Sequence, residues 1–184
     1  MKRVFDILAS VAGLIVFGPV ILLLAALVRR DSSGPGIFAQ ARVGRAERVF
    51  TCYKLRTMRQ GTVSAASHET PSAAVTRLGA FLRKWKLDEL PQLWNVLRGE
   101  MSLVGPRPSL PVQDEVIAAR RARGVFALRP GITGLAQVHG IDMSRPERLA
   151  EVDAQYLATR SFGGDLALIL QTVTGKGRGD RVGT

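Results

Sequence analysis

The chain has 184 residues and a mass of 19.9 kDa, the size of one domain, and 46% hydrophobic residues suffice to bury a core. This excludes a disordered tail protein, and the single cysteine, Cys52, excludes an internal disulfide or a cysteine-based zinc site. A net charge of +11 points to a polyanionic partner: nucleic acid, anionic lipid headgroups or phosphorylated metabolites.

The first predicted element is an uncharged, mostly apolar run of 22 residues, Ile7 to Val28. As one straight helix it would extend about 33 Å, enough to cross a hydrocarbon core of about 30 Å. Two features argue for a re-entrant hairpin instead. Gly18-Pro19 stands at the middle, where Pro19 lacks an amide donor and its ring collides with the Ile15 carbonyl. Lys2 and Arg3 before the run and Arg29 and Arg30 after it place positive charge at both ends, where a spanning helix shows a one-sided excess. A kinked spanning helix remains the alternative; a cleaved signal peptide fits less well, since no small-x-small site follows the run. The first thirty residues carry +3, leaving +8 on the remainder.

After the breaker cluster Ser32-Ser33-Gly34-Pro35-Gly36, the stretch Ile37 to Met58 predicts a β-hairpin, with Val49, Thr51, Tyr53 and Leu55 on one face. Gly61 to Ser72 reads as a mobile loop. Val75 to Lys84 predicts a helix, and Leu87 to Leu97 another, with Pro91 in its first turn and Gly99 as its stop. Gly99 to Pro111 reads as irregular, Val112 to Arg123 as helix, and Arg129 to Gly140 as loop and turn. Ser144 and Glu147 suggest a capping box for a helix over 146–160. Gly163 to Thr174 predicts a core or membrane-surface helix, and the tail from Gly175 reads as disordered. The expected class is α+β: a mainly helical catalytic domain over 31–174 with a short hairpin, an N-terminal membrane hairpin over 1–30 broken at Gly18-Pro19, and a tail over 175–184.

There is no P-loop, G-x-G-x-x-G or nucleophile elbow, and the two histidines, His68 and His139, lie far apart in sequence. The strongest constellation is Asp88-Glu89. Acids at a helix start have an ordinary explanation, since they oppose the positive end of the helix dipole. Their surroundings add another: Arg83, Lys84 and Lys86 precede the pair, and Arg98 and Arg107 follow it. Arginine forks bind phosphate oxygens, and a carboxylate holds Mg²⁺ on a diphosphate or attacks phosphorus itself. Aromatic residues make up only 6% and no binding motif appears, so nucleic acid is disfavoured as the partner.

These residues resemble the bacterial sugar transferase family, the monotopic phosphoglycosyl transferases that start glycan assembly on a polyprenyl phosphate. The matching motifs run in order: Lys2-Arg3-Val4-Phe5-Asp6, the apolar run with its central proline, Tyr53-Lys54-Leu55-Arg56-Thr57-Met58, Leu87-Asp88-Glu89-Leu90-Pro91-Gln92, Asn95-Val96-Leu97-Arg98-Gly99, Met101-Ser102-Leu103-Val104-Gly105-Pro106-Arg107-Pro108 and Arg129-Pro130-Gly131-Ile132-Thr133-Gly134. The resemblance implies transfer of a sugar 1-phosphate from a UDP-sugar to undecaprenyl phosphate, with Asp88 as nucleophile and Glu89 assisting. It also implies Mg²⁺ as cofactor with Asp88 as its ligand, and phosphates held by Arg83, Arg107, Arg129, Lys54 and Arg56. Phospholipids are expected partners at the cytoplasmic face of a bacterial inner membrane, and a homo-oligomer stays open. Three positions depart from the pattern: Gly18 where serine is common, Lys86 where a small hydroxyl residue is common, and Leu135 in place of a frequent tryptophan.

Overall fold

The computed structural model describes residues 1–62 and 74–175. Most of the expected mobile loop at 61–72 and of the tail from 175 lies outside the described residues. The described chain is mixed α and β, mostly helical. Its elements are α1 (Lys2–Asp31), β1 (Ile37–Val43), β2 (Val49–Leu55), α2 (Arg77–Lys84), α3 (Gln92–Arg98), β3 (Ser102–Val104), α4 (Asp114–Ala122), β4 (Gly131–Thr133), α5 (Leu135–Val138), α6 (Pro146–Thr159) and α7 (Phe162–Val173).

α1 is one helix of 30 residues, about 45 Å long at roughly 1.5 Å per residue, with Pro19 inside it. The expected break of secondary structure at Gly18-Pro19 is therefore corrected: the helix continues through both residues. A proline removes only one helical hydrogen bond, and the turns on either side retain theirs. One stripe of α1 is core. Asp6, Ser10, Ile21 and Val28 are buried, with Leu14, Leu24 and Ala25 partly so, which is the spacing of a single helical face. Ile21 and Val28 pack with Leu55 of β2 and Leu82 of α2. The opposite stripe is apolar and exposed, and only 6% of the most apolar 18-residue stretch, of mean hydropathy 2.8, is buried against protein.

β1 and β2 form the expected antiparallel hairpin, registered from Ile37 opposite Leu55 to Val43 opposite Val49. Its two faces serve different cores. Cys52 turns toward Val96 and Met101 with Phe50 beside it, whereas Leu55, of opposite parity, turns toward α1. Of the four residues expected on one face, Val49 and Thr51 are exposed, Tyr53 is half-buried and Leu55 is buried. Burial pushes the Cys52 thiol up despite the nearby Lys54 and Arg42 cations, so it stays protonated as a small core residue.

Several predicted boundaries move for local reasons. α2 starts at Arg77 because Thr76 caps it, its hydroxyl accepting from the Gly79 amide at 2.9 Å, while Val75 bridges to Met58. The helix expected over 87–97 is two pieces, a 3-10 turn at Leu87–Glu89 and then α3 from Gln92, because Pro91 has no amide to continue the ladder. Gly99, at φ 85°, ends α3 as expected. Segments read as irregular contain a second sheet: β3 pairs in parallel with β4, Ser102 with Gly131 and Val104 with Thr133. The Ser144–Glu147 capping box does not form. Ser144 binds the Asp142 carboxylate instead, and Glu147 pairs with Arg123 at 2.8 Å.

Candidate active site

Asp88 and Glu89 sit on the 3-10 turn between α2 and α3, where three residues per turn send neighbouring side chains about 120° apart. The turn is preceded by Lys86 in left-handed conformation, φ 56°. Asp88 is only 7% exposed. Glu89 Oε1 accepts from Lys54 Nζ at 3.0 Å and from Arg107 Nη1 at 3.1 Å. One carboxylate oxygen thus joins the hairpin to the loop after β3. Arg83, at the end of α2, donates through Nε to Thr57 Oγ1 at 2.9 Å, and its buried Nη1 has no hydrogen-bond partner among the described residues. A buried, unsatisfied guanidinium nitrogen is costly unless a ligand completes it. Burial lowers the affinity of Lys86 for its proton, and the Arg107 charge adds to this against the opposing pull of Glu89.

The Arg107 backbone is held with unusual completeness. The carbonyls of Pro106, Arg107, Pro108 and Ser109 accept, in turn, from the Gly131 amide at 2.9 Å, Arg120 Nη1 at 2.8 Å, Arg42 Nη1 at 3.0 Å and the Val43 amide at 2.9 Å. Prolines on both sides of Arg107 fix φ and remove competing donors. Arg120 is itself anchored, since its buried guanidinium pairs with Asp153 of α6, Nη2 lying 2.7 Å from Oδ2. β4 can approach this closely only because Gly105 and Gly131 lack side chains: a Cβ on Gly131 would lie 2.1 Å from the Gly105 nitrogen. Arg107 also lines a shallow recess with Gly44, Pro108 and Phe126.

Of the expected phosphate-binding residues, the structure groups Lys54 and Arg107 around Glu89, and Arg83 keeps a donor without a partner among the described residues. Arg56 and Arg129 lie elsewhere. Arg56 is 7% exposed and caps the C-terminal end of α1, donating to the carbonyls of Ser32 at 2.7 Å and of Ser33, with longer contacts to Val28 and Gly34. Four carbonyls at a negative helix end thus hold a buried cation for which the family resemblance implies a phosphate. Arg129 donates to the Gly99 carbonyl at 2.9 Å beside Arg3, at the end of α3; burial and the charges of Arg3 and Arg45 lower its pKa.

Asn95, buried in α3, was not foreseen as a strut. It accepts from the Tyr53 amide at 3.1 Å and donates to the Thr51 carbonyl at 2.6 Å, so it fixes β2, and with it Lys54, against the helix that follows Glu89. Its signal in the sequence is a polar residue among apolar ones within a short helix, which does not say what it bonds. Among the described residues no group of three or more His, Cys, Asp or Glu side chains converges. Asp88 and Glu89 are the adjacent carboxylates that the 3-10 turn carries.

The bacterial sugar transferase family profile matches residues 1–177. The chain is 40% identical to the UDP-glucose:undecaprenyl-phosphate glucose-1-phosphate transferase of Caulobacter vibrioides, over 94% of this chain and 68% of that protein. It is 40% identical to the exopolysaccharide production protein ExoY of Rhizobium meliloti, over 94% of this chain and 83% of that protein. The UDP-galactose-lipid carrier transferase of Erwinia amylovora is 36% identical over 94% of this chain, which spans only 39% of that protein's length. With the match covering 177 of its 184 residues, this chain belongs to the bacterial sugar transferase family.

Proposed function

We propose that the protein transfers a sugar 1-phosphate from a UDP-sugar to undecaprenyl phosphate, starting assembly of a polysaccharide or other glycan. The carrying observation is the buried Asp88 next in sequence to Glu89, whose carboxylate gathers Lys54 and Arg107, with an Arg83 donor close in sequence that finds no partner among the described residues. In this reading an Asp88 carboxylate oxygen attacks the sugar-proximal phosphorus. A new carboxylate–phosphorus bond forms as the bond to the bridging oxygen breaks, and UMP leaves with that electron pair. An oxygen of the carrier phosphate then attacks the same phosphorus and returns Asp88 to its carboxylate. Arg107, Lys54 and Arg83 balance charge on the equatorial oxygens and the leaving phosphate. Glu89 orients Lys54 and Arg107 through its shared oxygen, which is the assistance its position supports.

The donor set fits a divalent ion of the expected kind. Mg²⁺ commonly takes one or two carboxylates and fills its remaining positions with water and substrate phosphates, so Asp88, with Glu89 adjacent in the chain, is the group we assign to it. Bound there, it would neutralise part of the diphosphate charge.

The membrane reading rests on α1. Lys2 contacts Asp165 and Arg3 donates to the Val96 carbonyl near one end, while Val28 packs on the Leu55 cluster near the other. A helix whose two ends both rest on the same globular body has neither end across a core of about 30 Å. This supports a seat of α1 at one face of a membrane, with Pro19 inside a continuous helix, and we assign that face to the cytoplasmic side of the inner membrane. α7 adds apolar surface at Phe162, Leu166, Leu170 and Val173, and Phe162 meets Phe5 of α1 edge-on at 5.3 Å.

The test supplies radiolabelled UDP-glucose or UDP-galactose, the donors in the relatives' names, with undecaprenyl phosphate and Mg²⁺. Wild type should release UMP and label the lipid. Asp88→Asn should lose turnover by at least roughly 10³-fold, the scale of nucleophile removal. Full turnover by Asp88→Asn overturns the covalent mechanism, and no labelled lipid from a wider panel of UDP-sugars overturns the activity.

A further inference from the structure

The first turns of α1 grip the catalytic body through three charged side chains. Lys2 Nζ pairs with Asp165, whose Oδ1 accepts from the Tyr156 hydroxyl at 2.6 Å; burial first, then this bond, push the phenol far up, so it donates as a neutral group. Arg3 donates to the Val96 carbonyl at 2.7 Å and the Leu97 carbonyl at 3.1 Å, closing the end of α3. Asp6 is 2% exposed, and its two oxygens accept from Ser102 Oγ at 2.8 Å and from the Leu103 amide at 3.2 Å.

Ser102 and Leu103 open β3, and four residues beyond Leu103 stands Arg107. β3 is three residues long and pairs on one side with an equally short β4. Two short parallel strands hold their register weakly by themselves, and a buried carboxylate that fills its lone pairs with a strand's own donors adds the missing constraint. Asp6 lies on the buried stripe of the helix whose other stripe is apolar and exposed.

We propose that Asp6 is a positioning residue for the transfer reaction: through β3 it ties the seat of α1 in the membrane to the placement of Arg107. Donor binding then depends on a carboxylate of the membrane helix that touches no substrate. The proposal rests on the reading of Arg107 as a ligand of the donor phosphates.

The test compares the full-length enzyme with Asp6→Ala, Arg107→Ala and the double variant, using the UDP-sugar that wild type turns over. Thermal melting and vesicle flotation accompany the kinetics. Asp6→Ala should float like wild type and lose roughly 10- to 100-fold in kcat/KM, the cost of a small misplacement, chiefly as a raised KM for the donor and not for the lipid acceptor. In the Arg107→Ala background the same change should cost little more, since both act on one contact. Asp6→Asn should recover most of the loss, because its amide oxygen still accepts from Leu103 and its NH₂ can donate to the Ser102 hydroxyl. Should Asp6→Ala fail to fold, Ser102→Ala removes one of the two bonds and should show a smaller donor-specific loss, again absent with Arg107→Ala. Losses that multiply in the double variant, or that fall equally on donor and acceptor, overturn the proposal. Undiminished turnover by Arg107→Ala alone overturns the phosphate reading of Arg107 instead.

Discussion

Around Arg107, four consecutive carbonyls each accept from a donor on β4, α4 or β1, whereas the outer stripe of α1 presents apolar side chains from Leu8 to Leu27 that are 38–74% exposed. The first region is held by directional bonds, which fix atoms relative to one another. The second offers only hydrocarbon, which fixes a depth in a bilayer and little else. The proposed reaction, which brings a soluble diphosphate to a lipid-borne phosphate, would use both, and they should fail differently when altered.

The sharpest break is behind Arg107. Asp153→Ala leaves the Arg120 guanidinium buried without its counter-charge and should cost about 3–5 kcal/mol in chemical denaturation, with donor turnover falling even where the fold persists. On the outer stripe of α1, Leu22→Arg should weaken vesicle association by about 2.5–3.5 kcal/mol in flotation while leaving the melting of the globular body nearly unchanged. Leu22→Ile, tested beside it, should do nothing, since lipid reads polarity and not shape. A shape change of one methyl group in the polar region should matter: Gly131→Ala forces the β3 and β4 segments apart and should cost about 1–3 kcal/mol. The smallest effect concerns Lys86, whose depressed pKa means that it discharges at lower pH than an ordinary lysine. Activity that depends on its charge then falls as pH rises through that value. In Lys86→Ser this alkaline limb of kcat/KM should vanish, because kcat/KM then rests at the lower alkaline level at every pH.

Elements with strong periodicity or a dedicated terminator were legible in the chain. The hairpin, α2, α4, α6 and α7 came within a few residues, because apolar spacing and caps act locally. β3 and β4 were not legible: three residues among glycines and prolines carry no period, and their pairing joins segments about thirty positions apart. Pro91 was placed in a first helical turn, yet its missing amide splits the segment, and so Asp88 and Glu89 ride a 3-10 turn rather than an α-helix. Arg56 shows a further limit. The motif that holds it does not say that its guanidinium meets the carbonyls at the end of α1, which only the packing brings beside it.

The sequence by itself determined the family, the apolar α1 and the identity of the acidic pair, because these are carried by residue type, order and local spacing. Only the tertiary structure decided that Lys54 and Arg107 meet Glu89, that α1 contacts the globular body near both its ends, and that Asp6 grips β3. Those depend on contacts between residues up to 163 positions apart, whose geometry arises when the elements pack and the buried polar groups find partners.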